Sequence, residues 1–322
     1  MVSVLVSVDD VRAAAQRILA TCVRTPLVPA PWAPPGTTLW LKPESLQPTG
    51  AFKLRGATNA IARLDDGQRS RGVVTHSSGN HGWALAYAAA AAGAPATVVV
   101  PHGAPEVKVE AIRRAGAEVV RVPMIDRVSA CADISARTGA VEIPPFDHPD
   151  VIAGQGTVGL EIAVDRPDIE TVLVPVGGGG LISGVAVALK ALLPGVRVIG
   201  CEPAIAGDAA ESLRTGTRTS WPSEQTSRTI ADGLRVPELG DLTWPLIQQH
   251  VDDIVTVGEE AIAAAVARLA HGSRLVVEPS GAVTTAAVLE AAGRLPGGRT
   301  VAVVSGGNLD PESLRDLLGW AA

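Results

Sequence analysis

The segment Pro48-Thr49-Gly50-Ala51-Phe52-Lys53-Leu54-Arg55-Gly56-Ala57 places a lysine at the start of a predicted helix. A Pro/Thr/Gly turn precedes Lys53, and the apolar residues Phe52 and Leu54 flank it. Burial and the positive end of the helix dipole both disfavour an ammonium group, so we expect the pKa of Lys53 to be lowered. A neutral, buried amine is what Schiff-base chemistry needs. The alternative is an ordinary helix lysine, and the rest of the chain must decide between the two.

Length and composition are typical of a globular enzyme-sized chain. It has 322 residues, of which 47% are hydrophobic and 19% charged, enough for one large or two ordinary domains. A net charge of -6 argues against nucleic acid or an anionic membrane as a partner. Three widely spaced cysteines form no CxxC pair, and residues 1–6 are too short for a signal sequence. A cytoplasmic location is therefore expected.

Continuous Val/Ile runs alternate with helical patterns, which indicates parallel sheets covered by helices on both faces. Strands are predicted at 38–42, 73–75, 96–100, 117–122, 171–176, 196–201, 254–257 and 300–304. Helices are predicted at 7–21, 84–92, 105–115, 127–138, 155–164, 181–193, 259–270 and 281–292, with an irregular region at 203–245. The fold class is therefore α/β, with two open parallel-sheet lobes. Residues 1–45 and 145–322 are predicted to form the large lobe and residues 46–144 the small one.

Three glycine-containing polar loops each follow a predicted strand, where ligands bind in open α/β sheets. They are residues 77–82, 177–180 and 305–308. The four glycines Gly177, Gly178, Gly179 and Gly180 precede a helix, so their backbone N–H groups can form an anion nest at its positive end. The loop can be aligned with the GxGxxG dinucleotide-binding fingerprint in two ways, and both fail because the third glycine is replaced by Ile182 or Ser183. No Walker A lysine follows the loop either. A phosphate monoester fits better, with a merely flexible loop as the alternative.

An imine-forming lysine together with a monophosphate cradle predicts pyridoxal 5'-phosphate as the cofactor. Its aldehyde would meet Lys53, and its phosphate would meet the glycine loop. Ser305 could hydrogen-bond the pyridine nitrogen and Asn80 the ring hydroxyl, while Ser78 could reach the ring face opposite Lys53. A neutral hydroxyl at the nitrogen favours prompt β-elimination over extended carbanion chemistry.

Sequence motifs along nearly the whole chain are similar to those of one enzyme family. The chain resembles the fold type II pyridoxal-phosphate enzymes, specifically the branch of serine/threonine dehydratases and serine racemases. The resemblance implies that the cofactor lies in the cleft between the lobes, bound mainly by the large one. The motifs, in family order, are Arg24-Thr25-Pro26-Leu27, Lys42-Pro43-Glu44, residues 49–57, residues 77–82, Val151-Ile152-Ala153-Gly154-Gln155-Gly156-Thr157, Gly177–Gly180, Glu202-Pro203, Ala231-Asp232-Gly233 and residues 305–308.

The resemblance also implies roles for individual residues. Lys53 would be the Schiff-base lysine and the base on one face of the cofactor, with Phe52 packed beside it. Gly177 to Gly180 would hold the phosphate. The substrate carboxylate would be bound by Ser77, Ser78, Gly79, Asn80 and His81, joined by Arg127.

A divalent cation near the cofactor phosphate is a further implication of the resemblance. Its ligands would be Glu202, the carbonyl of Ala206 and Asp208, and such all-oxygen ligands suit Mg²⁺, Ca²⁺ or Mn²⁺. The alternative is an acidic loop after a strand. The family also makes a homodimer the expected assembly.

Two departures from the family pattern bear on regulation and substrate. Trp83 stands where glutamine is common near a nucleotide effector site, which puts nucleotide regulation in doubt. Val236-Pro237-Glu238 replaces a serine-containing run that contacts the substrate, so substrate choice is less determined than reaction type.

The expected reaction is dehydration and deamination of L-threonine and/or L-serine, giving 2-oxobutanoate or pyruvate plus ammonia. The first alternative is a serine racemase with serine dehydratase activity. The second is a threo-3-hydroxyaspartate dehydratase, which would need an extra cation near Val236. A non-catalytic cofactor- or amino-acid-binding protein is the alternative from another class.

Overall fold

The computed structural model describes residues 6–77, 79–104, 106–290 and 295–319. Within these ranges the strands form two sheets, one of six strands and one of four. The strands are β1 (Val28–Pro29), β2 (Thr37–Pro43), β3 (Val73–His76), β4 (Ala96–Pro101), β5 (Glu118–Val122), β6 (Val141–Glu142), β7 (Thr171–Pro175), β8 (Arg197–Pro203), β9 (Asp253–Val257) and β10 (Gly298–Val304).

The larger sheet has the order β1-β2-β10-β7-β8-β9. All of its neighbouring strands are parallel except β1 and β2, which form a short antiparallel pair. Strand β2, from the N-terminal part of the chain, lies beside β10, with Trp40 opposite Val301. Every residue of β7 is buried, as expected for a central parallel strand covered on both faces.

The smaller sheet has the order β5-β4-β3-β6 and is entirely parallel. Val98, Val99 and Val100 at its centre have no exposed surface. The carboxyl ends of strands in both sheets lead into the loops that were predicted to bind ligands, residues 77–82 after β3, 177–180 after β7 and 305–308 after β10.

Helices cover both sheets in the part of the chain that the structure describes. They are α1 (Val8–Ile18), α2 (Lys53–Ala62), α3 (Asp66–Arg71), α4 (Asn80–Ala91), α5 (Glu106–Arg114), α6 (Arg127–Thr138), α7 (Pro149–Asp165), α8 (Gly180–Leu192), α9 (Asp208–Thr215), α10 (Ser223–Thr226), α11 (Thr243–His250), α12 (Glu259–Ser273), α13 (Pro279–Glu290) and α14 (Pro311–Leu318). None of them combines the length and apolar character needed to cross a bilayer.

Helix α2, which begins at Lys53, packs against both α4 and α7. Its buried residues Leu54 and Ala57 share one hydrophobic cluster with Leu85 of α4 and Val151 of α7. Helix α2 thus contacts elements of both predicted lobes. The domain boundaries near residues 45 and 145 stay a prediction.

A buried cluster of charged side chains holds α2 in place. The guanidinium of Arg55 binds both oxygens of Glu44, at 2.7 and 2.8 Å, and both oxygens of Glu161, at 2.6 and 2.9 Å. The ammonium of Lys42 also binds Glu161, at 2.5 Å. Two cations thus balance two carboxylates. Lys53 and Arg55 lie two residues apart, about 200° around the helix, so the cluster holds the face of α2 opposite Lys53.

The structure differs from the predicted helices in several places, and among these α4 begins at Asn80 rather than Ala84, while α3 and α14 were not predicted. Helix α7 begins at Pro149 rather than near Gln155, because His148 caps it by accepting the backbone N–H of Asp150 at Nδ1, and proline is favourable in a first turn. The region 203–245, predicted to be irregular, contains α9, α10 and the start of α11.

Candidate active site

Backbone and amide contacts bring two of the three predicted ligand loops to the turn before α2. The carbonyl of Ser305 accepts the backbone N–H of Phe52 at 3.0 Å, which joins the end of β10 to the start of α2. The Asn308 amide donates to the Thr49 carbonyl and to Oδ1 of Asn80, both at 2.8 Å. The loops after β3 and β10 therefore meet at the turn that carries Lys53.

Lys53 is the first residue of α2, and its Nζ donates to the carbonyl of Pro145 at 2.6 Å. Burial lowers the pKa of Lys53 to about 8, because the ammonium form loses hydration there. The ring of Phe52 lies beside it, with 5.1 Å from Nζ to the ring centroid. The amine is thus held in position with a substantial neutral fraction near physiological pH.

Lys53 differs from the other three lysines of the chain. Within the described residues each of those is paired with a carboxylate, whereas Lys53 has no such partner. The pairs are Lys42 with Glu161, Lys108 with Asp232 and Lys190 with Asp252. Since a carboxylate would favour the charged form, its absence leaves the Lys53 amine free to react.

The glycine loop Gly177–Gly180 leads from β7 into α8, which begins at Gly180. Gly179 has φ +90°, a left-handed conformation that favours glycine. Among the residues described, no protein acceptor takes the backbone N–H groups of Gly177, Gly178 or Gly179. Free N–H groups at a helix N-terminus are suited to an anion, so the loop fits a phosphate.

Side chains from other segments also pack closely against the glycine loop. A Cβ at Gly178 would lie 2.5 Å from the ring of Phe146, and one at Gly179 would lie 2.8 Å from Oγ1 of Thr243. Phe146 follows Pro145, the acceptor for Lys53. The segment 145–146 therefore contacts both the Lys53 amine and the glycine loop.

We predict that Gly179→Ala weakens pyridoxal-phosphate binding about tenfold or more, because an L-residue at this φ is strained and its Cβ displaces the loop. Equilibrium titration with the cofactor measures the effect. Gly195→Ala is the matched control, since its Cβ would meet no atom within 4 Å. Equal affinities for the two variants would contradict a phosphate role for the loop.

Asn80, the first residue of α4, is fixed by two partners. Its Nδ2 donates to Oε1 of Glu278 at 2.6 Å, and its Oδ1 accepts from Asn308. One hydrogen on Nδ2 stays available for the predicted bond to the ring hydroxyl. Burial, with the nearby charge of Asp232, raises the pKa of Glu278 to about 8. The sequence analysis missed Glu278, although an acidic residue after Val276-Val277 and before Pro279 was a usable signal.

Ser305 is buried, and its hydroxyl donates to the carbonyl of Ser280 at 3.4 Å. Such a long bond can be exchanged for one to a pyridine nitrogen by rotation of the hydroxyl. Ser77 accepts the backbone N–H of Gly79 at 3.3 Å in the loop before α4. Ser78, predicted to work on the opposite ring face, lies outside the described residues.

His81 and Arg127 have surroundings that the sequence could not reveal. The buried His81 ring bonds the Ile143 carbonyl through Nε2 at 2.9 Å, and burial lowers its pKa to about 3. Its neutral ring bonds Ile143, and the predicted role of His81 in binding the substrate carboxylate stays a prediction. Arg127, at the start of α6, is exposed and contacts Met124. Its predicted role in substrate binding stays a prediction.

The three predicted metal ligands lie around the start of α9. Glu202 is buried and accepts the backbone N–H of Ala210 at 2.8 Å, while Oδ2 of Asp208 is buried with no hydrogen-bond partner. Burial raises the pKa of Glu202 well above its usual value and that of Asp208 to about 7. An unpartnered carboxylate oxygen fits a cation, although no cluster of three or more His, Cys, Asp or Glu side chains occurs in the described ranges.

Pyridoxal phosphate fits the residues that are present. The glycine loop would hold its phosphate, Lys53 its aldehyde carbon, Asn80 its ring hydroxyl and Ser305 its ring nitrogen. The fit rests on the loop N–H groups and on the Lys53 amine, which among the described residues have no protein acceptor and no carboxylate partner, respectively. When bound, this group supplies an electron sink for the electron pair left on a substrate α-carbon.

Comparisons with known proteins point to the same cofactor. The profile of the family described as pyridoxal-phosphate dependent enzyme matches residues 18–306. An L-threonine ammonia-lyase of Thermotoga maritima is 46% identical over 277 residues, covering 85% of this chain and 68% of that protein. An L-threo-3-hydroxyaspartate ammonia-lyase of Saccharomyces cerevisiae is 40% identical over 285 residues, covering 88% and 86%. The structure of maize serine racemase superposes with a TM-score of 0.92 at 41% identity, covering 97% of this chain and 96% of that one.

Proposed function

The chain belongs to the family of pyridoxal-phosphate dependent enzymes, and from this premise we propose that it is an ammonia-lyase acting on L-threonine and/or L-serine. The products would be ammonia and 2-oxobutanoate or pyruvate. One observation carries the proposal. Among the described residues the Lys53 amine has no carboxylate partner, and the segment Pro145–Phe146 links it to a glycine loop whose backbone N–H groups have no protein acceptor. Similarity to threonine ammonia-lyases supports the reaction type.

Lys53 is the base in this proposal. Its amine removes the proton from the substrate α-carbon and keeps it at Nζ, beside the Pro145 carbonyl that accepts from Nζ at 2.6 Å. The lowered pKa of Lys53, about 8, is suited to accepting and returning a proton near neutral pH.

Ser305 and the bonded pair of Asn80 and Glu278 set the polarity at the ring. Ser305 presents a neutral hydroxyl, which does not force a proton onto a ring nitrogen. Glu278, with a raised pKa of about 8, is largely protonated at pH 7 and adds little negative charge. This neutral environment favours prompt loss of the β-hydroxyl over reactions that need a long-lived carbanion.

We predict that the rate of cofactor capture by the apoprotein rises about fivefold from pH 7 to pH 8. The reacting form of Lys53 is the neutral amine, and with a pKa of about 8 its fraction rises from about one-tenth to one-half over that interval. Stopped-flow absorbance measures the rate. Glu278 titrates in the same range, so Glu278→Gln should retain the rise. A flat profile in both proteins would contradict an accessible amine at this pKa.

Ketoacid formation tests the reaction directly. Purified holoenzyme is incubated with L-serine, L-threonine and L-threo-3-hydroxyaspartate, and the products are quantified by chromatography. We expect pyruvate or 2-oxobutanoate from the first two. Failure to convert any of the three substrates while the cofactor is bound would overturn the ammonia-lyase proposal.

Serine racemase is the second candidate, supported by the similarity to maize serine racemase. Ser78 would deliver a proton to the face opposite Lys53, a role that rests on its place in the sequence between Ser77 and Gly79. Chiral chromatography with L-serine distinguishes the candidates. If racemisation occurs, Ser78→Ala should remove it and spare most elimination, whereas equal loss of both reactions would count against that role.

A cation, an assembly state and a location complete the proposal. Mg²⁺ bound by Glu202, Ala206 and Asp208 would satisfy the orphan Asp208 oxygen, and should raise the unfolding temperature of the wild type but not of Asp208→Asn. A homodimer, the assembly that the family resemblance implies, would be refuted by light scattering that finds a monomer. A cytoplasmic location follows from the cysteine pattern, and fractionation of the source cells tests it.

A further inference from the structure

The carboxylate of Asp147 holds the chain that enters α11. Its Oδ1 accepts the backbone N–H groups of Leu242 and Thr243 at 2.9 and 3.3 Å, and its Oδ2 accepts that of Asp241 at 2.9 Å. N–H groups at the start of a helix have no acceptor within the helix, so the carboxylate supplies one. A Cβ at Gly240 would lie 2.2 Å from Oδ1, and the glycine there permits this close approach. Asp147 therefore fixes the first residue of α11.

That first residue, Thr243, bonds the glycine loop. It is buried, and its hydroxyl donates to the Gly178 carbonyl at 2.8 Å. The backbone N–H of Gly240 donates to the same carbonyl at 3.3 Å and to the Thr243 hydroxyl at 2.9 Å. Two donors thus hold the Gly178 carbonyl on the side of α11.

The direction of this carbonyl decides the direction of the next N–H group. A planar trans peptide points its C=O and its N–H in opposite directions. The Gly178 carbonyl and the Gly179 N–H belong to one peptide unit, so the N–H is directed away from Thr243. Among the described residues it has no protein acceptor. The bonds from Asp147 through Thr243 therefore set the direction in which the glycine loop presents one of its donors.

The two residues before Asp147 contact both halves of the candidate site. The Pro145 carbonyl accepts from Nζ of Lys53 at 2.6 Å. The ring of Phe146 lies 2.5 Å from the position that a Cβ would take at Gly178. One short stretch of chain thus fixes the amine on one side and, through its carboxylate, the loop donor on the other.

We propose that Asp147 is a positioning residue that aims the Gly179 N–H at the cofactor phosphate by acting through Thr243. Asp147 itself contacts neither cofactor nor substrate in this role. The inference deepens the proposed function, because it rests on pyridoxal phosphate lying with its phosphate at the glycine loop. It concerns the phosphate alone and does not depend on the reaction that follows.

Comparison of two ligands isolates the phosphate. The full-length apoprotein is titrated with pyridoxal 5'-phosphate and with pyridoxal, which has the aldehyde but no phosphate, and the absorbance gained on attachment to an amine is recorded. We expect Asp147→Ala and Thr243→Val each to weaken pyridoxal-phosphate binding about tenfold and pyridoxal binding by less than about twofold. Thr243→Ser keeps the hydroxyl and should stay within about twofold of wild type for both ligands.

The double variant Asp147→Ala with Thr243→Val tests whether the two residues act on the same peptide unit. Because they would act in series, its affinity for pyridoxal phosphate should lie within about threefold of the single variants, rather than about a hundredfold below wild type. Asp65→Ala is the matched control, since Asp65 accepts the backbone N–H of Gln68 at 2.7 Å at the start of α3, the helix before β3. It should leave both affinities unchanged.

The outcomes separate positioning from general loosening of the fold, which thermal unfolding also monitors. Equal weakening of both ligands by Asp147→Ala, no weakening of either, or additive effects in the double variant would overturn the proposal. If Asp147→Ala does not fold, Thr243→Val and Thr243→Ser decide, and equal affinities of these two for pyridoxal phosphate would overturn it. Absence of ketoacid from wild type, with the phosphate-specific loss intact, would overturn only the ammonia-lyase function.

Discussion

Lys53→Ala is expected to lower kcat for ketoacid formation by at least about a thousandfold, because it would remove both the proposed covalent attachment point and the proposed base. The visible absorbance that pyridoxal phosphate gains on attachment to an amine should vanish, while some cofactor still binds through the glycine loop. Absorbance spectra and a coupled ketoacid assay measure the two effects on the same sample.

Because the chain has only four lysines, the point of cofactor attachment can be identified unambiguously. Reduction of the holoenzyme with borohydride should fix the cofactor to one of four lysines, and peptide mass mapping should find it on Lys53. Lys190→Ala is the matched control, because Lys190 pairs with Asp252 near the C-terminal end of α8. Modification of any other lysine, or activity retained in Lys53→Ala, would refute the assignment.

Arg55→Met is expected to destabilise the protein by about 3–5 kcal/mol, because it leaves the buried carboxylate of Glu44 without its cation. Burial by itself raises the pKa of Glu44, but Arg55 and Lys42 reverse this and hold it below its usual value. The stabilisation from Glu44 is therefore present above the unfolded pKa and is lost as pH falls through the lower folded value. Urea unfolding at pH 7 and at pH 4 measures both effects.

Arg113→Met provides the comparison for a solvent-exposed ion pair. Arg113 lies on α5 with 44% of its side chain exposed, and its loss should change stability by no more than about 0.5 kcal/mol. Adding Glu44→Gln to Arg55→Met should recover part of the lost stability, since the uncompensated charge is then gone. Equal destabilisation by the two arginine variants would show that the buried cluster is not an anchor for α2.

The fold was predictable to the extent that local pattern decides it. Helix α6 spans the predicted residues 127–138, and the Val/Ile runs identified the principal strands because a parallel sheet buries both faces of each strand. The start of α7 was missed because its cap is the ring nitrogen of His148 rather than a short polar side chain. Helix α9 was missed because it is short and lies in a Gly- and Thr-containing region.

Candidate site residues could be selected from the sequence where loop composition itself suggests a chemical role. The Lys53 turn, the glycine loop and Ser305 could be selected on residue type alone. The bond from Asn80 to Glu278 spans 198 residues, and that from Lys42 to Glu161 spans 119. Such contacts depend on tertiary packing. Neither the raised pKa of Glu278 nor the buried ion cluster around Arg55 therefore follows from local sequence.

The place of β10 in the larger sheet has a consequence for synthesis of the chain. Gly298–Val304 is inserted between β2, made from residues 37–43, and β7, made from residues 171–175. A nascent chain on the ribosome cannot join these two strands until residues 298–304 have emerged. The four-stranded sheet, complete by residue 142, has no such requirement. Vectorial folding therefore leaves the edges of β2 and β7 that face β10 unpaired until β10 emerges, an interval in which chaperone protection matters.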